Sequence, residues 1–486
     1  MAGIGFELKK LFQKKGVTAL LRAYGYTGIV TTGPMILGIL LLLGIMFLAE
    51  YFGVSGQARE LLVCMVTYAL LASLTLTSFF SMVTTRYIAD MLYEEREDMV
   101  LASFQGVCAI LLIFGGIVYG VFLGLAGIPF LYQVLNLVLF AELVVVWVAM
   151  NYLTAIKDYK GILISFAMAV LVAFMTGGLF CLAGGASVEA LLSGICCGYG
   201  IMMVSDTILL YRHFPQGNTG QFYFLQWFDE YRPLAFIGLF TNIGLFAHLV
   251  IIWFSPIGKQ VQGAFYGAPE HDVPALLAFL TILITTINFV ASVEVNFYPR
   301  YRRFYDLFNG KGSLKEIRQA QDEMLRVLES ELTYTARKQL YTTALMLSVG
   351  LLFLERLPLG FNDLMEGYFR ILCVGYGIYA IGNTVMLMLL YFTDYRGALM
   401  ATAGFMLVGV GSTCFLLGGP VVYYGFGFTL GSGVFCLIAL IRLNWFTQNL
   451  PYHILSTQPI VAEVRYGMFS KLAGWMERRK GHRYET

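Results

Sequence analysis

Long apolar runs alternate with short polar connections along the whole chain. The runs occupy about residues 26–48, 61–84, 101–126, 131–154, 161–184, 188–211, 234–255, 274–298, 339–355, 368–392, 398–418 and 422–442. Nearly all reach the roughly 20 residues that a helix needs to cross a bilayer, so the pattern predicts twelve membrane-spanning helices. The ninth run is short, and its start merges with a polar helix. Period-2 alternation is absent, which excludes a membrane β-barrel.

The polar positions predict four further features. Residues 5–22 read as a basic amphipathic helix with Phe6, Leu8, Leu11, Phe12, Leu20 and Leu21 as its apolar side. The connection at 212–233 sets Phe222, Tyr223, Phe224, Trp227 and Phe228 beside Asp229 and Glu230, the composition of an interfacial linker. Residues 313–338 predict a long polar helix, because Ser313 and Glu316 form a capping box at its start. The tail from Asn449 spaces Ile454, Leu455, Ile460, Val461, Val464, Phe469, Leu472 and Trp475 among basic residues, as in a surface-lying or partner-binding helix. The expected layout is an amphipathic N-terminus (1–25), an N-lobe of spans one to six (26–211) and a linker (212–233). A C-lobe of spans seven to twelve (234–442), carrying the 313–338 helix between spans eight and nine, and a tail (443–486) complete it.

The basic residues orient this layout. They crowd the N-terminal stretch (Lys9, Lys10, Lys14, Lys15, Arg22) and the even-numbered connections, from Arg86 and Arg96 through Lys157, Lys160, Arg212 and Arg232. The connection after segment eight is the richest, and the tail adds Arg465, Lys471, Arg478, Arg479, Lys480 and Arg483. Only Arg59, Lys259 and Arg356 fall in opposite-side connections, with Arg370 at a helix edge. A miscounted helix would scramble this split. It therefore supports an all-α membrane protein of twelve spans with both termini cytoplasmic. The first run is too long for a cleavable signal and reads as the first anchor.

Composition narrows the class. Hydrophobic residues make up 58% of the chain and charged residues 13%, against about 25% charged in soluble domains, which excludes a soluble protein. A net charge of +2 without a clustered basic surface gives no reason to expect nucleic acid. The eight cysteines lie in apolar runs and form no C-x-x-C pair, so they read as small buried hydrophobes rather than disulfides or metal ligands. No P-loop, G-x-S-x-G, His-Glu-x-x-His, Asp-x-Asp or Gln-x-x-Arg-Trp motif is present. The reading is of a non-enzyme without cofactor or metal.

Ionisable groups inside apolar runs are functional candidates, because membrane burial of charge is costly. They are Glu142 in segment four, Asp206 in six, His248 in seven and Glu294 in eight. Glu142 lies nearest the middle of its run. Asp206 and Glu294 stand near the cytoplasmic end, where an interfacial anchor or ion pair is the favoured explanation, and His248 lies in the outer third of its run, where a packing histidine explains it as well as a site does. Neutral polar residues form stripes at helical spacing: Thr31 with Tyr24 and Thr27, Ser73 with Thr77, Ser81 and Thr84, Thr281 with Thr285, Asn288 and Ser292, and Tyr376 with Tyr379 and Asn383. Glycines and Pro34 in segment one, with Gly238, Asn242 and Gly244 in segment seven, suggest paired interrupted helices, the mark of a transporter built from repeats. Ordinary glycine packing and interhelical hydrogen bonding explain the same residues. Hydroxyls, amides and tyrosine faces suit a sugar. No Lys or Arg occupies the middle of a run, so a path there favours a neutral or cationic substrate over a pyrophosphate.

The opening Met-Ala-Gly-Ile-Gly-Phe-Glu-Leu, the Leu-Leu-Arg-Ala-Tyr-Gly-Tyr at 20–26, Thr-Gly-Pro at 32–34 and Asn-Phe-Tyr-Pro-Arg-Tyr at 296–301 strongly resemble the PelG family. That family belongs to the multidrug/oligosaccharidyl-lipid/polysaccharide flippase superfamily. The resemblance implies two six-helix lobes around a central cavity. It implies transport of a polymer rich in galactosamine and N-acetylgalactosamine, across the bacterial inner membrane to the periplasm. Implied partners are the polysaccharide, a cytoplasmic glycosyltransferase, other inner-membrane Pel-system proteins and membrane lipids. A lipid-linked oligosaccharide flippase, a cation/drug antiporter and a scaffold that recruits the glycosyltransferase are the alternatives.

Overall fold

The computed structural model describes residues 17–156, 158–217, 220–310, 312–354, 361–457 and 467–484. The amphipathic stretch expected at 5–22 lies largely outside them. Among the described residues the chain is helical except for one antiparallel hairpin, β1 (Lys259–Gln262) and β2 (Phe265–Gly267). In order, the first helices are α1 (Val17–Tyr51), α2 (Gly56–Tyr93), α3 (Asp98–Leu125), α4 (Phe130–Ile156), α5 (Tyr159–Gly184), α6 (Val188–His213), α7 (Leu225–Glu230) and α8 (Arg232–Trp253). After the hairpin come α9 (Pro269–Phe279), α10 (Ile282–Ser292), α11 (Tyr298–Asn309), α12 (Leu314–Leu345), α13 (Asp363–Tyr391), α14 (Tyr395–Leu416), α15 (Phe426–Gln448), α16 (Leu450–Thr457) and α17 (Met468–Tyr484). Ten helices among the described residues are long and apolar enough to cross a membrane, and Ile36–Tyr51 is a shorter apolar stretch.

Two segments depart from the simple pattern. Segments one and seven are continuous helices despite their glycines, whereas segment eight is the interrupted one. It breaks after α9 at Leu280 and Thr281, then passes through a π-helical turn at Val293–Phe297 before α11. Segment nine is the end of α12, a second π-helical turn at Met346–Gly350, and the short turn Leu351–Leu354. Residues 355–360 lie outside the described ones. The capping box of α12 forms as expected: the Ser313 hydroxyl accepts from Glu316 N, and Glu316 accepts from Ser313 N at 2.9 Å.

The contacts divide the chain into two units. The N-terminal unit comprises 34–246, the hairpin region 258–267 and 460–486. Its largest helix pairings are α5 with α6, α4 with α6 and α2 with α4. Gly194 of α6 lies on Gly177 of α5 so closely that a Cβ would stand 2.6 Å from the Gly177 Cα, the small-residue crossing common between membrane helices. The hairpin docks by a backbone bond from Ala264 N to Ala126 O at 2.8 Å. The Tyr68 hydroxyl also holds it, bonding both O and N of Tyr266 at 3.1 Å.

The C-terminal unit comprises 1–33, 247–257 and 268–459. Here α14 pairs with α15 and α13 with α15. Gly431 crosses Gly409 as Gly194 crosses Gly177, with a built Cβ 2.7 Å from the opposing Cα.

A second local likeness joins the two halves of the chain. Asp158-Tyr159-Lys160-Gly161 opens α5, and Asp394-Tyr395-Arg396-Gly397 opens α14. Both aspartates are N-caps with the same backbone, φ −84° and ψ 62° at Asp158, φ −80° and ψ 68° at Asp394. Each carboxylate accepts from the glycine N–H three residues on, at 2.9 and 3.1 Å. An N-cap carboxylate satisfies an orphan donor of the first turn, and glycine leaves room for it.

Candidate functional site

The C-terminal unit gathers aromatic and imidazole side chains where α8 ends and α9 begins. His248 of α8 and His271 of α9 are both buried, with ring centroids 5.3 Å apart. His248 Nε2 lies 3.4 Å from the hydroxyl of Tyr376 on α13, and its ring packs at 4.6 Å on Phe428 of α15. His271 packs on Tyr368 at 5.4 Å. The neighbouring Asp272 stands 3.6 Å from His271 Nδ1. Its other oxygen accepts from Trp253 Nε1 at 2.8 Å and from Ala268 N at 3.1 Å. Pro269 in the first turn fixes where this helix starts, and so places His271 inside the cluster. The apolar run alone starts at 274, which leaves His271 in the connection. Two imidazoles and two phenols in an apolar shell can donate, accept and stack without fixed charge, apart from the carboxylate of Asp272.

The stripe of segment eight forms a polar zipper within the same unit. Asn288 Nδ2 donates to Thr335 Oγ1 at 2.9 Å, and Lys338 Nζ donates to Asn288 Oδ1 at 3.0 Å. Thr285 donates to Gln339, and Ser292 to Glu331. Asn296, in the π-helical turn, donates to Glu331 at 2.8 Å. The ladder runs from α10 and the π-helical turn after it to α12, so these residues bind segment eight to α12 at about 0.6 kcal/mol per bond. Lys338 is a finding of its own. In sequence it belongs to the polar connection between segments eight and nine, yet it reaches Asn288 in the middle of segment eight, stretched over the ring of Tyr334 at 4.4 Å. A long helix whose polar face turns toward α10 carries it there, and no residue pattern within segment eight announces it.

The remaining candidates are scattered. Glu142 is half-buried on α4 and lies against α6, where Gly200 leaves it room: a Cβ there would stand 3.1 Å from Glu142 Oε1. Glu142 Oε2 is sealed from solvent without a hydrogen bond. Asp206 on α6 is wholly buried. Asn242 and Asn383 are half-buried. Tyr379 packs its ring among Phe405, Phe428 and Phe435. The side chains of Thr31 and Glu294 lie outside the described residues. In the segment-two stripe Thr77 bonds Ser73 O at 2.8 Å and Thr84 bonds Phe80 O at 3.0 Å, on their own helix, while the Ser73 hydroxyl accepts from Trp147 Nε1 of α4 at 3.0 Å. The structure thus brings together His248 and Tyr376, with Tyr379 sharing Phe428, and assigns Asn288 to the zipper.

A family profile described as "PelG: Putative exopolysaccharide Exporter (EPS-E)" matches residues 1–455. The chain belongs to the PelG family. The match takes in every span found in the structure and stops before α17. No curated protein matches the sequence. Among solved structures, the chain is similar to a multidrug resistance MATE family transporter of the MOP superfamily in an inward-facing conformation. The TM-score is 0.57 and the identity 13%, over 87% of this chain and 99% of that one. A MATE structure in a bent conformation gives a TM-score of 0.58 at 14% identity, over 93% and 99%. A MOP superfamily transporter from Pyrococcus furiosus, whose binding pocket is described as of reverse polarity, gives 0.54 at 12%, over 87% and 96%. At such identities the likeness establishes the fold. With the family, it makes this PelG-family chain a multi-pass helical membrane transporter.

Proposed function

We propose that the protein moves a Pel-like exopolysaccharide, rich in galactosamine and N-acetylgalactosamine, from the cytoplasm to the periplasm across the bacterial inner membrane. The PelG-family match over residues 1–455 carries this reading. The buried polar side chains support it, being mostly amides, hydroxyls, phenols and imidazoles rather than guanidinium groups. In this reading twelve spans form two six-helix lobes around a central cavity, with both termini cytoplasmic. A cytoplasmic glycosyltransferase and other membrane proteins of the same system deliver the polymer. Glu142 is the carboxylate that meets amine groups of the sugar, and His248, Tyr376 and Asn242 supply neutral contacts. In a strain lacking the native gene, Glu142→Gln should abolish polymer secretion at normal protein level. Unchanged secretion removes Glu142 from the path.

One observation favours a second reading, a flippase for a lipid-linked oligosaccharide. Lys338 places an ammonium beside Asn288, and a phosphate in low dielectric needs such a partner. Under this reading Lys338→Gln should block export and accumulate lipid-linked saccharide. Under the first, export continues at a level set by protein stability.

A further inference from the structure

Beyond the apolar run of segment eight, α11 and the start of α12 enclose a pocket of about 460 Å3, within the roughly 300–1,000 Å3 of small-ligand sites. From α11 come Pro299, Arg302, Arg303 and Asp306, spaced i, i+3, i+4 and i+7 and so on one helical face. From the first turns of α12 come Glu316 and Gln319. Two glycines let the helices meet. A Cβ on Gly310 would stand 2.6 Å from Asp306 O, and one on Gly312 2.7 Å from Leu307 O. A side chain at either would push the turn off the end of α11.

The lining holds two guanidinium groups and two carboxylates, hence no net charge. Arg302 Nε stands 3.7 Å from Asp306 Oδ2, beyond hydrogen-bond distance, and both side chains are 70% exposed. Exposed ion pairs contribute little, so this one yields readily to a ligand. Arg303 donates to Glu323 at 3.2 Å and is also exposed. Glu316 is committed to the capping box, where Oε2 accepts from Ser313 N at 2.9 Å and from Ser313 Oγ at 2.7 Å. Gln319 offers a donor and an acceptor, and Pro299 and Leu307 add apolar surface.

Such a lining fits a saccharide better than it fits an anion. A phosphate gains two guanidinium groups but meets two carboxylates. A sugar hydroxyl both donates and accepts, so one pyranose ring bridges a guanidinium and a carboxylate while its C–H face lies on Pro299 and Leu307. A free amine on the ring adds an ammonium–carboxylate hydrogen bond, stronger than a neutral one. We propose that the pocket between α11 and α12 binds a short stretch of a partly de-N-acetylated amino-sugar polymer. Asp306 takes the free ammonium, and Arg302, Arg303 and Gln319 take the hydroxyl and N-acetyl oxygens. This site rests on the export reading: there α11 leaves segment eight on the cytoplasmic side, and the pocket meets the polymer ahead of the membrane.

The test titrates the purified full-length protein in lipid nanodiscs, by isothermal calorimetry, with two tetrasaccharides and with inorganic pyrophosphate. One tetramer alternates galactosamine with N-acetylgalactosamine, and the other is N-acetylgalactosamine throughout. The mixed tetramer should bind more tightly. Asp306→Asn should remove that preference. Arg302→Gln combined with Arg303→Gln should weaken both tetramers about tenfold or more, the loss of at least one hydrogen bond to a charged group. These side chains are exposed, so the variants should keep the wild-type melting temperature. A wild type that binds neither tetramer overturns the proposal. So does a preference that survives Asp306→Asn, or an affinity unchanged in the arginine double variant. Pyrophosphate binding more tightly than either tetramer overturns it in favour of an anion site. Restoration of polymer secretion by the wild-type gene, in a strain lacking the native copy, scores the export reading separately. Secretion without tetramer binding removes the pocket alone, and tetramer binding without secretion removes the exporter.

Discussion

The carboxylate of Asp229 caps the first turn of α17 at Ser470, 241 residues further along the chain. It accepts from Ser470 N at 2.7 Å, Ser470 Oγ at 2.8 Å, Gly467 N at 3.1 Å and Phe469 N at 3.4 Å. A Cβ on Gly467 would stand 2.1 Å from Asp229 Oδ1, so only glycine lets the chain approach this closely. Phe228 packs on Phe469 at 5.4 Å beside the cap. The tail helix α17 is thereby fastened to α7, within one unit, by a helix-capping interaction borrowed from a distant part of the sequence.

Removing that cap should release the tail. Losing a side-chain cap costs about 0.5–2 kcal/mol. Asp229→Ala should raise hydrogen exchange of residues 467–477 while leaving the exchange of α4 to α6 unchanged. Asp229→Asn keeps an acceptor and should fall between.

The same latch has an acid limit. Burial of Asp229 works against its ionised form, but the Ser470 N–H and hydroxyl, the Phe469 N–H and Arg232 outweigh it and hold the carboxyl below its usual range. A folded-state pKa below the unfolded one gives stability that is present above the unfolded value, about 3.9, and is lost as pH falls through the folded one. Protection of the tail should therefore be constant from neutral pH down to the ordinary carboxylate range and collapse only below it. Exchange measured by pH jump checks this, and loss of protection near neutrality would contradict it.

The paired caps predict paired glycine effects. Alanine at Gly397 would meet Asp394 Oδ2 at 2.2 Å and Arg442 Cγ at 2.4 Å, in a carboxylate locked by two hydrogen bonds. Alanine at Gly161 would meet Leu209 Cδ1 at 2.6 Å and Asp158 Oδ2 at 2.7 Å, both ends of side chains with fewer constraints. Overpacking costs about 1–3 kcal/mol, so both variants should lower the melting temperature, Gly397→Ala by more. Melting curves in nanodiscs decide the order.

Lys338 and Asn288 should be energetically coupled. Lys338→Met leaves a buried carbonyl oxygen of Asn288 without its donor, at a cost of about 1–3 kcal/mol. In the Asn288→Leu background the same change should cost clearly less. A double-mutant cycle on thermal stability measures the difference, and additive losses would mean the two side chains act independently.

Much of this molecule is legible in sequence wherever the cause is local. The apolar runs place the helices, and Ser313 with Glu316 places the start of α12, because each depends on residues within one or two turns. The interrupted segment is less legible. Gly and Pro in segments one and seven are accommodated inside continuous helices, while the break after α9 falls at Leu280 and Thr281, which carry no breaker signal. Partners are less legible still. Nothing in segment eight indicates that Asn288 meets Lys338, or that His271 meets His248 and Tyr368, since these depend on which helix faces turn toward each other. The repeated Asp-Tyr-[Lys/Arg]-Gly is present in the sequence, yet four residues acquire meaning only when both aspartates show the same cap geometry. Glu142 and Asp206 stand out in sequence for the reason they stand out in structure, a carboxylate among apolar neighbours.

The N-terminal unit draws on three separated stretches, 34–246, 258–267 and 460–486. Chain synthesis at about 5–20 residues per second leaves an interval of roughly 10–50 s between the emergence of Asp229 and that of Ser470. Throughout it the carboxylate has Arg232 beside it but lacks the donors of the tail. Closure of the tail latch is thus one of the last contacts of the N-terminal unit to become possible.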